Sequence, residues 1–200
     1  MSAEPTERLK TPRTTVSAVA AALALLWAVL AVIHPPFFSE VADTADTDRW
    51  MLVHYTQLLL APLIALAVLH LLIGVENSAA TVARVAVVVW AAWFSAFDAV
   101  AGIASGVLVE EGAADAGRVL FEHGLVGGAG SVLGWLGQGI WPVVAIGAGL
   151  ALRTAGAHRA TFVAMFVSVL IAAHAGPAAV GFAALAVALW TGRTRPEQVS

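Results

Sequence analysis

The sequence predicts an all-α integral membrane protein, a bundle of six transmembrane helices with a short interfacial helix between the third and the fourth. Hydrophobic residues make up 60% of the chain and charged residues only 12%, whereas a soluble domain carries roughly 25% charged residues. Several apolar runs exceed about 18 residues, the length signal of a helix that crosses a membrane. Basic residues, finally, gather in alternate connections between these runs, as they do on the cytoplasmic side of membrane proteins.

The first three spans follow from the apolar runs and from the residues that bound them. The first covers about 15–33 and stops at a Pro-Pro pair, which cannot continue a helix. The second covers about 51–75, after an acidic loop and after Trp50, whose position is typical of a membrane interface. The third covers about 85–109, and Ser78 is the candidate N-cap ahead of it.

The second half of the chain leaves one choice open. Charged residues at helical spacing between Glu110 and His123 predict the short surface helix, and the glycine-rich fourth span covers about 126–152. The final apolar run, 160–191, would be about 48 Å long as one helix, more than the ~30 Å membrane core requires. Its central Gly-Pro pair favours two short spans. One continuous helix, and so five spans in all, is the alternative.

Charge sets the predicted orientation. With six spans, eight Arg and Lys residues lie on one side, and only Arg49 and Arg118 lie on the other. Both termini are therefore expected in the cytoplasm, with polar tails at 1–14 and 192–200 and a single bundle at 15–191 in the cell's inner (plasma) membrane. The richness in Ala, Val and Gly is typical of a bacterial genome of high GC content.

Composition also excludes several classes of function. The chain has no cysteine, which excludes disulfides, thiol catalysis, iron–sulfur clusters and Cys-ligated metals. The net charge of −3 offers no basic surface for nucleic acid. The predicted partners are therefore the lipid bilayer and, through helix packing, a second copy of the chain or a larger membrane complex.

Asp98 is the most informative residue of the chain, because it is the only charged residue of the predicted third span. An acid inside a membrane is energetically costly, and such residues usually face the interior of a bundle and have a function. Gly102 and Gly106 follow on nearly the same face and would let a neighbouring helix come close.

Counting residues along each predicted span places several polar side chains in the outer half of the bundle. Asp98, Gln138 and His174 each lie about 20 Å above the cytoplasmic end of their span, and His34 and His54 lie at very roughly 28–31 Å. The last hairpin is too short to reach the outer surface, which predicts an outward-facing pocket with His174 at its floor. Further candidates for the pocket lining are Gln57, Ser95 and Trp141.

The leading functional hypothesis is that this pocket binds haem or a transition metal. His34 and His54 could be the two axial ligands of a haem, or His54, Asp98 and His174 could hold zinc, copper or iron. A second hypothesis is a proton-coupled small-solute transporter or channel that uses an Asp/His relay, which would need a homodimer. A third is an accessory subunit of a larger membrane complex, and a fourth is a metal-dependent hydrolase that acts on lipid.

Overall fold

The computed structural model describes residues 13–35, 38–44, 46–122, 132–173 and 176–192. The regular structure in these ranges is helical, without a β-strand, which confirms the all-α prediction for this part of the chain. The helices are α1 Arg13–Ile33, α2 Phe38–Thr44, α3 Asp48–Leu71, α4 Ser78–Phe97, α5 Ser105–Glu110, α6 Ala114–Glu122, α7 Val132–Gly139, α8 Trp141–Thr154, α9 Arg159–Val167 and α10 Gly176–Thr191. A π-helical segment, Asp98–Ala104, joins α4 to α5, and a 3-10 segment, Ser168–Ala172, follows α9.

Four of the described helices are long and apolar enough to cross a membrane: Thr14–Ile33, Asp48–Leu71, Ser78–Glu110 and Leu136–Thr154. Two shorter apolar helices, Arg159–Ala172 and Gly176–Thr191, replace the long final run of the sequence. The run is thus divided into two helices, as the prediction of two short spans requires. The count of six spans stays a prediction.

Among the described elements, six helices surround the interior, each packed against the next in the order α1, α3, α4, α8, α9 and α10, with α10 again in contact with α1. Large aromatic side chains fill the core between them. Trp27 of α1 stacks on Phe182 of α10 with ring centroids 4.5 Å apart, and Trp90 of α4 packs edge-on against Trp141 of α8 at 4.6 Å. The side chains of Trp27, Trp90 and Trp141 are fully buried.

A small second core closes one end of the bundle, which we call the cap end. Here α2 and α6 pack on each other and on α5. Phe38 of α2 stacks on Phe121 of α6 with ring centroids 4.7 Å apart, and Arg118 forms an exposed salt bridge with Asp43 at 2.7 Å. Helix α6 therefore coincides with the short helix predicted between the third and fourth spans. Its predicted place on a membrane surface stays a prediction.

Helix α4 begins seven residues before the predicted start of the third span. Arg84, which the sequence pattern places outside the membrane, lies within α4 and donates hydrogen bonds to the carbonyl oxygens of Leu72 and Val75 at 2.7 and 2.8 Å. The N-cap is Asn77 rather than Ser78: its side-chain oxygen accepts from the backbone N–H of Ala80 at 2.8 Å. An asparagine in extended conformation satisfies a helix N-terminus as well as a serine does, and the sequence offers both.

The predicted fourth span is represented by the apolar stretch Leu136–Thr154, which has a one-residue interruption at Ile140. Residues 123–131 lie outside the described ranges, and beyond them α7 ends at Gly139 while α8 begins at Trp141. Pro142 explains the break, since it has no N–H to give to the preceding turn and its ring crowds that turn.

Replacing Asn77 by alanine should lower the free energy of unfolding by about 1 kcal/mol, because the N–H of Ala80 loses its acceptor. Asn77 also donates to the hydroxyl of Thr154 at 3.0 Å, which ties the start of α4 to the end of α8. The measurement is thermal or denaturant unfolding in detergent. N77D keeps the capping oxygen and should therefore retain most of the stability that the alanine variant loses. Equal losses in both variants would contradict the capping role.

Candidate functional site

The centre of the site is a buried hydrogen bond between two helices. The Nδ1 atom of His54 in α3 lies 2.6 Å from Oδ1 of Asp98, where α4 passes into the π-helical segment. His54 is 5% and Asp98 1% exposed. The prediction that His54 lies nearer the outer surface than Asp98 is therefore wrong. The predicted height of Asp98 is counted from Val85, whereas α4 begins at Ser78, seven residues earlier, which raises Asp98 by about 10 Å.

The π-helical segment and its glycine give the His54 ring its place. A Cβ atom added at Gly102 would lie less than 3.0 Å from three ring atoms of His54, so only glycine leaves room for the imidazole. The carbonyl oxygen of Gly102 accepts a hydrogen bond from Nε1 of Trp50 at 2.7 Å. Single-turn π segments inside α-helices occur frequently at functional sites, and this one starts at the acid.

Gln57 and Trp27 extend the hydrogen-bond network at Asp98. The Nε1–H group of Trp27 lies 3.3 Å from one end of the Gln57 amide, which must be the oxygen because indole nitrogen only donates. The amide nitrogen then faces Oδ1 of Asp98 at 3.2 Å and donates to it. Two side chains of α3, His54 and Gln57, thus meet at one carboxylate oxygen of Asp98, and Trp27 of α1 holds the Gln57 amide in place.

A cavity of about 70 Å³ borders this pair. Its lining comes from several elements and combines polar groups with aromatic rings: Trp27, Ala31, His34, His54, Gln57, Trp90, Phe94, Phe97, Asp98, Gln138, Ile171, Ala173, Ala178 and Phe182. Two buried atoms at the pair, Nε2 of His54 and Oδ2 of Asp98, have no hydrogen-bond partner among the described residues. Buried polar atoms are seldom left unpaired, so each needs an explanation.

The hydrogen-bond chemistry tells what these two atoms can accept. As a carboxylate, Asp98 can only accept, so the proton of the short bond lies on Nδ1 of His54. The Nε2 atom of the neutral imidazole then presents a lone pair. With Asp98 ionised, both unpaired atoms are acceptors beside one cavity, and the group that would satisfy them is a cation or a molecule with N–H or O–H donors.

Five of the predicted site residues come together at the cavity. His34, His54, Gln57, Asp98 and Gln138 all line it. The rings of His34 and His54 are 5.0 Å apart and nearly perpendicular, and Nδ1 of His34 donates to the carbonyl of Pro35 at 2.6 Å.

Two predicted lining residues do not border the cavity. Trp141 lies behind Trp90 and donates from Nε1 to the carbonyl of Ser168 at 2.8 Å, and Ser95 is also outside the lining. His174 falls outside the described residues, so its place in the site stays a prediction.

The predicted metal set is incomplete in the part of the chain that the structure describes. No three His, Cys, Asp or Glu side chains among these residues lie close enough together to hold a metal ion. His54 and Asp98 supply two donor atoms, and protein metal sites usually use three or four.

Sequence reasoning misses Trp27, Trp50 and the aromatic part of the lining. The sequence pattern places Trp50 at a membrane interface, but this residue is 1% exposed and its ring lies 4.3 Å from that of His54. A tryptophan next to a predicted span is compatible with a membrane-interface position and with a buried position in the site. Only the hydrogen bond of Trp50 to Gly102 distinguishes the two. The π-helical segment leaves no signal in the residue pattern that would reveal it.

Comparison of the chain with protein-family models, with curated proteins and with solved structures yields no match.

Proposed function

We propose that this chain is a multi-pass membrane protein that binds a positively charged ligand in an outward-facing pocket, at the Asp98–His54 pair. The observation that carries the proposal is the pair of buried, unpaired acceptors, Nε2 of His54 and Oδ2 of Asp98, beside one cavity. Asp98 is 1% exposed, and a buried carboxylate is costly without a balancing positive charge, which a bound cation would supply.

The direction of access follows from the position of the pair. Between the pair and the end of the bundle opposite the cap, the core contains a set of fully buried apolar side chains: Ile64, Val68, Val87, Val144 and Leu152. The predicted orientation places the cap end outside the cell and both termini in the cytoplasm. In that orientation a ligand would enter from outside, and this closed apolar layer favours a binding protein over an open channel.

A transition-metal ion is the member of this ligand class that the sequence predicts first. It would bind the lone pair of His54 Nε2, while Asp98 would hold the ring through Nδ1, the arrangement that orients many metal-binding histidines. His174 is the predicted further ligand. A cavity of about 70 Å³ suits a single ion. It is far below the ~300–1,000 Å³ of pockets for drug-sized molecules, which favours a single ion over haem as the ligand.

The proposed function is tested by offering cations to the detergent-purified full chain. Zn²⁺, Ni²⁺, Na⁺, K⁺ and ammonium salts are compared by calorimetry and by thermal unfolding, with an absorption spectrum and elemental analysis of the protein as purified. A ligand at a hundred times its Kd should stabilise the fold by about 2.7 kcal/mol. H54A should abolish the effect and H70A should not, because His70 lies on a separate groove between α1 and α3. Failure of every cation to bind or stabilise would refute the proposal.

Proton-coupled transport is the second candidate, and one observation favours it. The half-buried His34, the buried His54 and Asp98 follow one another from the cap end inward, with ring centroids 5.0 Å apart at the first step and a 2.6 Å hydrogen bond at the second. Such a series could carry a proton from outside to Asp98. Proton flux into proteoliposomes, with H34A as the test variant, distinguishes this function from binding alone.

A further inference from the structure

We propose that the cation that this pocket selects is a small alkylammonium ion of about the size of methylammonium. The inference rests on the proposed binding of a cation, and it names the class of that cation. It is carried by the chemistry of the cavity wall, by the two unpaired acceptors and by the charge around the cap end.

Aromatic side chains form a large part of the cavity wall. Five of the residues that line it are Trp27, Trp90, Phe94, Phe97 and Phe182. Aromatic faces attract organic ammonium ions through cation–π interactions, which strengthen when the cation is removed from water. A metal ion gains less from such a wall, because it needs lone-pair donors on most sides.

The polar groups match the donors of an alkylammonium ion. Such an ion has N–H groups pointing in several directions, and the pocket offers Oδ2 of Asp98 and Nε2 of His54 as acceptors. The carboxylate would balance the positive charge, and the methyl group would lie against the rings. One ligand would thus satisfy both unpaired atoms, whereas a transition metal would find only two ligands among the described residues.

The size of the cavity sets the size of the ligand. Its volume of about 70 Å³ is well below the ~300–1,000 Å³ of pockets for drug-sized molecules, which favours a ligand with few non-hydrogen atoms. Methylammonium has two non-hydrogen atoms and suits this space. A quaternary ammonium ion has no N–H group to donate to the two unpaired acceptors.

The cap end carries charge that would concentrate cations near the pocket. Segments 38–50 and 110–122 hold eight Asp and Glu residues and two Arg residues, with residue 45 outside the described part. Trp50 connects this end to the site, since it contacts Phe38 of the cap and His54 of the pair. A surface of one charge sign raises the local concentration of its counter-ions and their rate of binding.

The experiment measures equilibrium binding of radiolabelled methylammonium to the purified full chain, in competition with ammonium, tetramethylammonium, K⁺ and Zn²⁺. We expect methylammonium to bind more tightly than K⁺ and tetramethylammonium. F97L should weaken its binding about threefold to thirtyfold through loss of one cation–π contact. The matched control is F166L, because Phe166 is 56% exposed and does not line the cavity.

Each outcome separates this inference from the proposed function. Binding of Zn²⁺ or K⁺ without methylammonium would overturn the alkylammonium assignment and leave cation binding intact. Equal affinities of F97L and wild type for methylammonium would overturn the role of the aromatic wall. Binding of no cation at all would overturn both proposals.

Discussion

Replacement of Asp98 by asparagine is expected to weaken cation binding by about thirtyfold to several thousandfold. The range corresponds to about 2–5 kcal/mol, the usual cost of truncating one partner of a buried, hydrogen-bonded charge pair. Asparagine has nearly the same shape and can still accept from His54 and Gln57, so the geometry of the site is retained while its negative charge is lost. Calorimetry with the best-binding cation gives the measurement.

The unliganded D98N protein should be at least as stable as the wild type. Asp98 is 1% exposed, and removing a buried charge that has no balancing partner is favourable to folding. If Asp98 and a protonated His54 merely formed a structural ion pair, the same variant would leave a buried positive charge and lose about 3–5 kcal/mol. Thermal unfolding without ligand therefore separates a binding site from a structural pair.

Asp43 provides the matched carboxylate control. Its side chain is 66% exposed and pairs with Arg118 at the surface of the cap, so D43N should change stability by no more than about 1 kcal/mol. It should also leave the calorimetric affinity close to that of the wild type. A loss of affinity in D43N as large as in D98N would show that the general acidity of the protein, and not the buried pair, attracts the ligand.

The helices are predictable because their signal is redundant. Long apolar runs, prolines and glycines at their ends and the spacing of charges each indicate the same elements, and the all-α architecture follows from any two of these signals. The third span shows the limit. A single arginine, Arg84, moves its predicted start by two helical turns, because a long side chain can lie along the helix and bond to neighbouring carbonyls, as it does here with Leu72 and Val75.

The site is predictable in part, for a physical reason. Asp98 can be identified from the sequence, since a lone acid in an apolar run is energetically exceptional. Its partner cannot be identified, because three predicted spans offer histidines. The choice between them depends on the height of Asp98 in the membrane, and that height is counted from Val85 rather than from the true start of the helix at Ser78. The contacts of Gln57 with Trp27 and of Trp50 with Gly102 depend on side-chain directions that one sequence does not encode as a pattern.

Replacement of Gly102 by alanine should separate His54 from Asp98 and abolish binding. The new Cβ would lie less than 3.0 Å from Nδ1, Cγ and Cε1 of the His54 ring, so the imidazole would have to leave its position. Overpacking of this kind typically costs about 1–3 kcal/mol, and the buried carboxylate would lose its hydrogen bond as well. Unfolding in detergent and calorimetry on the same sample measure the two effects.

Gly139 is the matched control, because a Cβ there meets nothing within 4 Å. G139A should be neutral or slightly stabilising, since alanine is the better helix former by up to about 1 kcal/mol. The decisive comparison is the double variant H54A/G102A. If the methyl group that G102A introduces harms the protein only by its collision with the imidazole, removing the ring should restore stability, and the two changes should be strongly non-additive. Additive losses would mean that Gly102 matters for another reason, such as the π-helical segment itself, and that the position of His54 does not depend on it.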